Sequence, residues 1–221
     1  MRLRKERFKF EVLVVLDSVP GDLTGSIIHE LSGKFSELCV IERSGKRGVG
    51  NAIQTGIRAA KGSIFVPVMG DHSESANDIV KLANAVAEGY DVAVGDRFKY
   101  GKPYGYPLLK YVANRCCNHL IRLLFLVPSY DITNAFKAYN TSILKQFDLS
   151  SKGFEIFVEM PLMVFLRTPN VEIVSISTQH YVRKKQEAKL LLRKEGPSYI
   201  RTILSLFFHD RLVRLTKTVS A

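Results

Sequence analysis

Apolar residues come along this chain in two alternating rhythms. Short runs rich in β-branched residues at 10–16 (FEVLVVL), 38–42 and 63–69 (SIFVPVM) predict buried strands, and 91–94 predicts a fourth. Between them, apolar positions recur at helical spacing over 23–31, 51–60 and 76–88. A long helix is predicted over 107–127, stopped by Pro128. Strand and helix in alternation imply an α/β fold, a mostly parallel sheet covered by helices on both faces. Ligands of such sheets sit beyond the carboxyl ends of the strands. Asp17, Asp71 and the pair Asp96-Arg97 fall just past those ends.

Late in the chain, Ile200, Ile203, Leu204, Phe207, Phe208, Leu212 and Leu215 recur at helical spacing, with Arg201, His209, Arg211, Arg214 and Lys217 between them. This pattern predicts a basic amphipathic helix. It suits packing on the core and lying on a membrane surface equally well.

Composition narrows the class. A length of 221 residues suits one large domain or two small ones. Apolar residues at 46% and charged residues at 24% exclude disorder and collagen-like repeats. Cys39, Cys116 and Cys117 lack metal-ligand spacing and a pairing framework, which points to a reducing compartment. The basic opening residues lead into no signal-peptide core, and no apolar run approaches the roughly 20 residues of a spanning helix. The net charge of +11 is carried by the two ends. Residues 1–10 hold five basic groups against one acid, 181–221 hold ten against three, and 11–180 are neutral. A nucleic-acid binder would be basic over a contiguous face. Basic ends on a neutral body suit an anionic membrane surface or a phosphate-bearing ligand.

Several residues carry candidate chemistry. The turn 45–50, with Lys46, Arg47, Gly48 and Gly50, opens a helix and suits a diphosphate held by backbone amides and two cations. It is not a Walker A loop, since no Lys-Ser/Thr follows its last glycine. Asp71, with His72 and Glu74 as neighbours, offers hard oxygen to a divalent cation such as Mg²⁺ or Mn²⁺. Lys110 and Asn114 share one helix face, with Arg115 turned off it. Glu155 and Glu159 also lie four apart, as a carboxylate pair or a solvated edge. Asp17 and Asp71 can alternatively be read as helix caps, and Asp131 as an Asx-turn after Pro128.

Read in order, ERSGKRGVGNAIQTGIRAAKGSIFVPVMGDHSESANDI, DVAVGDRF, DITNAFKAYN and KGFEIFVEM resemble the family 2 glycosyltransferases of GT-A fold, over about residues 11–205. The nearest branch is that of the dolichol-phosphate mannosyltransferase-like enzymes. The resemblance implies an inverting transfer of a hexose, such as mannose, from a GDP- or UDP-linked sugar to a polyprenyl phosphate at the cytosolic membrane face. It implies a peripheral cytoplasmic protein, with an anionic membrane surface as partner and no nucleic acid. It assigns nucleotide-sugar binding to Asp17, Lys46, Arg47, Gly48, Gly50 and Asp71, and metal to Asp71. It assigns catalysis to Asp131 and Arg97, and the acceptor phosphate to Arg97, Lys110, Asn114, Arg183 and Lys189. It implies a nucleotide-sugar half over about 11–97 and an acceptor half over about 98–192, between a basic segment 1–10 and a basic amphipathic helix 193–221.

The sequence departs from the family pattern in five places, the first being Leu16-Asp17-Ser18-Val19-Pro20-Gly21-Asp22, where only part of the family's Asp-Asp-Gly-Ser-Pro-Asp-Gly segment survives. Met69-Gly70-Asp71 stands for Asp-x-Asp, and Lys110 and Asn114 stand for an Arg and a Ser. Gln186-Glu187-Ala188 replaces Gly-Lys-Ser in the basic acceptor loop. The strand that opens the family fold, ending in Pro-x-Tyr-Asn-Glu, has no counterpart before residue 10, so the family's first strand is expected to be missing from the interior of the sheet. These departures open a second reading, a non-catalytic or truncated relative serving as a membrane-associated binding or scaffold subunit. A membrane-anchoring subunit, or a chain supplying the missing strand, would then be a partner.

Overall fold

The computed structural model describes residues 8–17, 21–179 and 192–219, with side chains for all of these except 192–194 and 210–219. β1 (Val12–Asp17) and β2 (Leu38–Arg43) pair in parallel, in register from Val12 with Leu38 to Asp17 with Arg43. The helix α1 (Thr24–Ser32) connects them. A parallel pair needs such a crossover, because its strands run the same way. Next come α2 (Val49–Ala59), β3 (Ile64–Phe65), α3 (Ala76–Ala87) and β4 (Val92–Asp96).

The predicted strand over 63–69 forms ladder pairs only at Ile64 and Phe65. Pro67 has no N–H to extend it. β3 also pairs on one side only, with β5 (Lys137–Asn140). The second sheet runs β3-β5-β4-β6, where β6 is Ile173–Ser177. β4 and β6 are parallel, while β5 runs antiparallel to both its neighbours. The sheet is therefore mixed. Among the described residues, β1–β2 and the four-stranded sheet remain separate, with a cavity between β1 and β3.

β4 is buried at every position, as expected of a strand covered on both faces. The long helix α4 (Leu108–Phe125) ends at Leu126, which takes the left-handed conformation and donates its N–H to Arg122 O at 2.8 Å. The short helix α5 (Thr141–Leu144) and α6 (Ile156–Arg167) follow. Ile156, Phe157, Met160 and Leu162 of α6 are fully buried with Val92, Ile121 and Tyr139 in the main core. The last helix, α7 (Leu192–Val219), packs on that core through Ile203 and Phe207, whose ring meets Phe125 edge-on at 5.9 Å. Ile200, Leu204 and Phe208 remain exposed on it. The expectation that this helix packs on the core is met. One apolar stripe is buried and a second faces outward.

Candidate functional site

At the end of β1, the Asp17 carboxylate is held from two directions. Arg43, directly opposite on β2, donates from Nη1 to Oδ1, and the Gly48 amide donates to Oδ2 at 2.9 Å. Arg43 is itself fixed by Thr55 Oγ1 at 3.1 Å and Lys46 O at 3.3 Å. Gly48 caps α2 with φ +148, and the Gly50 N–H donates to Lys152 O at 2.9 Å. A Cβ on Gly48 would lie 2.5 Å from Lys152 O, and one on Gly50 would lie 2.4 Å from Ser151 O. Glycine is required here because another backbone segment lies against the turn. The expectation that the Gly48 and Gly50 amides face a diphosphate is corrected, since both amides are spent on Asp17 and Lys152. Lys46 and Arg47 are exposed beside them and remain the outward-facing groups of the turn.

The second group centres on Asp131, which is fully buried. Arg97 grips it three times, through its own N–H at 3.0 Å, Nε at 2.8 Å and Nη2 at 2.8 Å. Asn118 of α4 donates to Thr133 Oγ1 at 2.8 Å and accepts from the Thr133 N–H at 3.0 Å, fixing the loop that carries Asp131. Burial opposes charge on Arg97, but the Asp131 carboxylate more than offsets it and raises the guanidinium pKa above its ordinary value. Asp131 therefore orients Arg97, and its oxygens are occupied in doing so.

Around this pair lie Asn114, whose amide donates to the buried Tyr106 hydroxyl at 2.7 Å, and Lys110, whose Nζ sits 5.3 Å over the Tyr106 ring. Burial, and next the nearby Arg97 charge, lower the Lys110 pKa, while Asp71 acts in the opposite sense. Lys110 is thus electrostatically coupled to both Arg97 and Asp71. Arg97, Asp131, Lys110, Asn114 and Asp71 come together in one region. Arg183 and Lys189 lie outside the described residues.

Asp71 Oδ1 accepts from the Ser73 N–H at 3.0 Å in a local turn, while the cap of α3 is Ser75, which accepts from the Asp78 N–H, so Asp71 is not the helix cap. Glu74 lies nearby. Its pKa is raised, mainly by burial, and its Oε2 is buried without a hydrogen bond. Among the described residues no three His, Cys, Asp or Glu side chains cluster as a metal site. Two carboxylates, one with an unpartnered buried oxygen, still fit a hard divalent cation whose remaining ligands are phosphate oxygens and water.

The pair Glu155 and Glu159 takes neither expected form. Buried Glu159 accepts from Ser150 N–H and Oγ and from Ser151 N–H at 2.7–2.8 Å, and Glu155 accepts from Gly153 N–H at 3.0 Å. Both carboxylates shape the 150–153 loop that seats the Gly-rich turn. Three further residues emerge only in three dimensions: Arg43, Asn118 and Lys137. Lys137 is fully buried on β5, with its ammonium directed at Asn134 O and, at 3.0 Å, Phe157 O. Burial lowers its pKa to about 7, against the raising influence of Asp131. Its neighbours in sequence, Phe136 and Ala138, are buried too, a signal that this lysine points inward.

The model of the family described as glycosyl transferase family 2 matches residues 2–148. A dolichol-phosphate mannosyltransferase of Pyrococcus furiosus is 27% identical over 184 residues, covering 82% of this chain and 51% of that protein. A polyprenol monophosphomannose synthase of Mycolicibacterium smegmatis is 32% identical over 152 residues, covering 65% of this chain and 57% of that protein. The chain spans about half the length of these curated relatives. Among solved structures, glucosyl-3-phosphoglycerate synthase from Mycobacterium tuberculosis, in complex with Mn²⁺, UDP and phosphoglyceric acid, superposes with a TM-score of 0.65 at 18% identity. That match covers 89% of this chain and 67% of the other, and is a likeness of fold. No helix among the described residues is long and apolar enough to cross a membrane. With a GT-A-like architecture and the family model matched over about two thirds of its length, the chain belongs to glycosyl transferase family 2.

Proposed function

We propose that this chain is the catalytic core of an inverting glycosyltransferase. It moves a hexose from a nucleotide sugar to a polyprenyl phosphate at a membrane surface. The observation that carries this reading is the Arg97 guanidinium, oriented by buried Asp131 through Nε and Nη2 and flanked by Lys110. Such a preorganised cationic pair suits a phosphate monoester, with no side-chain ordering needed at the moment of reaction. The relatives' names support the same acceptor and suggest mannose as the sugar.

The chemistry asked of the side chains is modest. The acceptor phosphate, with a second pKa near 6, is already ionised at neutral pH. Its oxygen attacks the anomeric carbon directly, the bond from that carbon to the diphosphate oxygen breaks, and configuration inverts. No general base is required, so positioning dominates. Arg97 and Lys110 hold the attacking phosphate. Asp131 fixes the fork and keeps the site's charge balanced. Lys46 and Arg47, beside the Asp17–Arg43 pair, face the departing diphosphate. Asp71 and Glu74 would hold Mg²⁺ or Mn²⁺, which when bound neutralises charge on the leaving group.

The membrane face is built from the exposed stripe Ile200, Leu204 and Phe208 on α7, with Leu123 and Leu126 at the end of α4. The basic chain ends support attraction to anionic lipid at the cytosolic face. A second reading, a non-catalytic membrane-associated scaffold, draws on the gap between β1 and β3.

The test is titration calorimetry with GDP and UDP, each with and without Mn²⁺, followed by transfer of radiolabelled hexose to a polyprenyl phosphate in vesicles. Metal-dependent nucleotide binding and label in the lipid phase are expected. Absence of both overturns the catalytic reading in favour of the scaffold.

A further inference from the structure

Tyr199 of α7 packs half-buried against the main core, and its hydroxyl reaches beyond its own helix to donate to Phe154 O at 3.0 Å. A phenylalanine would fill the same apolar seat, so the hydroxyl adds only this bond. Burial pushes the Tyr199 pKa well above the ordinary tyrosine value, with the Arg97 charge acting in the opposite sense. The hydroxyl therefore stays protonated, and a donor, at any working pH. The Arg97 influence also places it within electrostatic reach of the acceptor side of the site.

Phe154 ends a loop that its own contacts hold as one piece. Its four successive amides from Ser150 to Gly153 all donate to Glu155 or Glu159. On its far side the loop meets α2 and the Gly-rich turn. The Gly50 N–H donates to Lys152 O at 2.9 Å, and Gln54 Nε2 donates to Ser151 O at 2.9 Å. The contact is also hard, since a Cβ on Gly48 or Gly50 would stand 2.5 Å or 2.4 Å from the loop's carbonyl oxygens. A shift of the loop toward the turn meets backbone, and a shift away breaks two hydrogen bonds. Close-packed groups of this kind transmit displacement rather than absorb it. One face of the loop is thus held by Tyr199, and the other seats the turn that carries Lys46 and Arg47.

We propose that Tyr199 is a positioning residue for the nucleotide sugar, which sets the Gly-rich turn from α7 through the 150–154 loop. Its hydroxyl fixes the loop, the loop fixes the Gly48 and Gly50 backbone, and that backbone fixes where Lys46 and Arg47 meet the diphosphate. The choice of ligand rests on the transferase reading, while the link from Tyr199 to Gly50 is a property of the fold and is read separately.

The test is Tyr199→Phe in the full chain. Phe154 O also accepts from the Phe157 N–H at 3.2 Å, so the variant leaves no carbonyl unpaired there and reads the lost tether alone. Amide hydrogen exchange at Gly50 and over 150–153 should quicken about fivefold or more, with exchange in β4 unchanged. The Kd for GDP or UDP with Mn²⁺, measured by calorimetry, should rise about fivefold, in keeping with one hydrogen bond lost. In transfer, the KM for the nucleotide sugar should rise by about the same factor, with kcat near native, as for a loss of binding alone. Ser198→Ala is the control, because Ser198 Oγ donates only to Glu195 O within α7, at 2.7 Å, and it should move none of these readouts. A tyrosine that merely supports the fold would quicken exchange in β4 and the loop alike and leave the nucleotide Kd native. Either result overturns the proposal, as does native exchange at Gly50. If the native chain binds neither GDP nor UDP, the transferase reading fails, and exchange at Gly50 still decides whether Tyr199 sets the turn.

Discussion

Arg97 and Asp131 meet in a buried two-pronged ion pair, in which Nε and Nη2 each approach a carboxylate oxygen at 2.8 Å. The backbone N–H of Arg97 adds a third contact to the same carboxylate. A residue at the end of β4 is thereby tied to a loop 34 positions further along the chain. Because Asp131 has no exposure, the pair is shielded from salt, and removing the charge of either partner leaves the other buried and uncompensated.

Two substitutions separate structure from chemistry at this pair. Asp131→Asn leaves a buried guanidinium without its counter-charge, and a loss of about 3–5 kcal/mol is expected, read as a lower urea midpoint. Arg97→Lys keeps the charge and loses the fork. Transfer should fall about 100-fold, with a much smaller change in stability. Full transfer by Arg97→Lys would remove Arg97 from the acceptor site.

Gly50 tests the seat of the Gly-rich turn. Its Cβ position is 2.4 Å from Ser151 O and 2.6 Å from Lys152 C, both backbone atoms that cannot rotate away. Gly50→Ala should therefore destabilise the fold by about 1–3 kcal/mol, the usual range for forced overpacking. It should also weaken nucleotide binding by shifting Lys46 and Arg47. Gly70→Ala is the control, since nothing lies within 4 Å of its Cβ position. Equal thermal midpoints for the two variants would contradict the packing argument.

The order of strands and helices through residue 125 was legible because apolar runs and helical spacing are local properties. β5 was not, because KAYN is four residues long and its partners β3 and β4 lie far away in sequence. The site was legible wherever a charged residue ends a strand, as with Asp17 and Arg97. Roles were less legible than positions. Asp131 reads in sequence as a carboxylate close to the reacting centre, and only the structure shows that its oxygens engage Arg97. Glu155 and Glu159 read as a helix-face pair, but Glu155 precedes the first helical residue and both fold back onto the 150–153 loop. Arg43 was hidden because its meaning depends on lying opposite Asp17 across β1 and β2.

Lys137 makes stability depend on pH. Its folded pKa, about 7, is below the ordinary lysine value of 10.5, so between these values the unfolded chain binds the extra proton. Stability then rises with pH through that window, and below about pH 7 the buried ammonium must be carried at a cost. Urea midpoints measured from pH 6 to 9 should climb for the native protein more steeply than for Lys137→Met. Stopping at pH 9 avoids buried Tyr139 and half-buried Tyr199, whose raised pKa values reverse the slope near and above 10. Parallel profiles for the two proteins would show that Lys137 does not titrate in this range.

The outward stripe of α7 separates membrane attachment from catalysis. Ile200, Leu204 and Phe208 are 60%, 43% and 59% exposed and lie one turn apart on α7, alongside buried Ile203. Side chains so exposed contribute little to the fold, and changes there usually stay within about 0.5 kcal/mol. In a lipid interface the same side chains are buried, each worth about 1.5–3 kcal/mol on full transfer from water. Replacing all three by serine should leave the thermal midpoint and nucleotide affinity near native. Co-sedimentation with anionic vesicles should fall by more than about tenfold, since a loss of 1.4 kcal/mol already gives that factor. Raising salt should weaken what remains, because the basic ends supply the residual attraction. Undiminished sedimentation of the triple variant would move the membrane contact away from α7, to the basic ends alone.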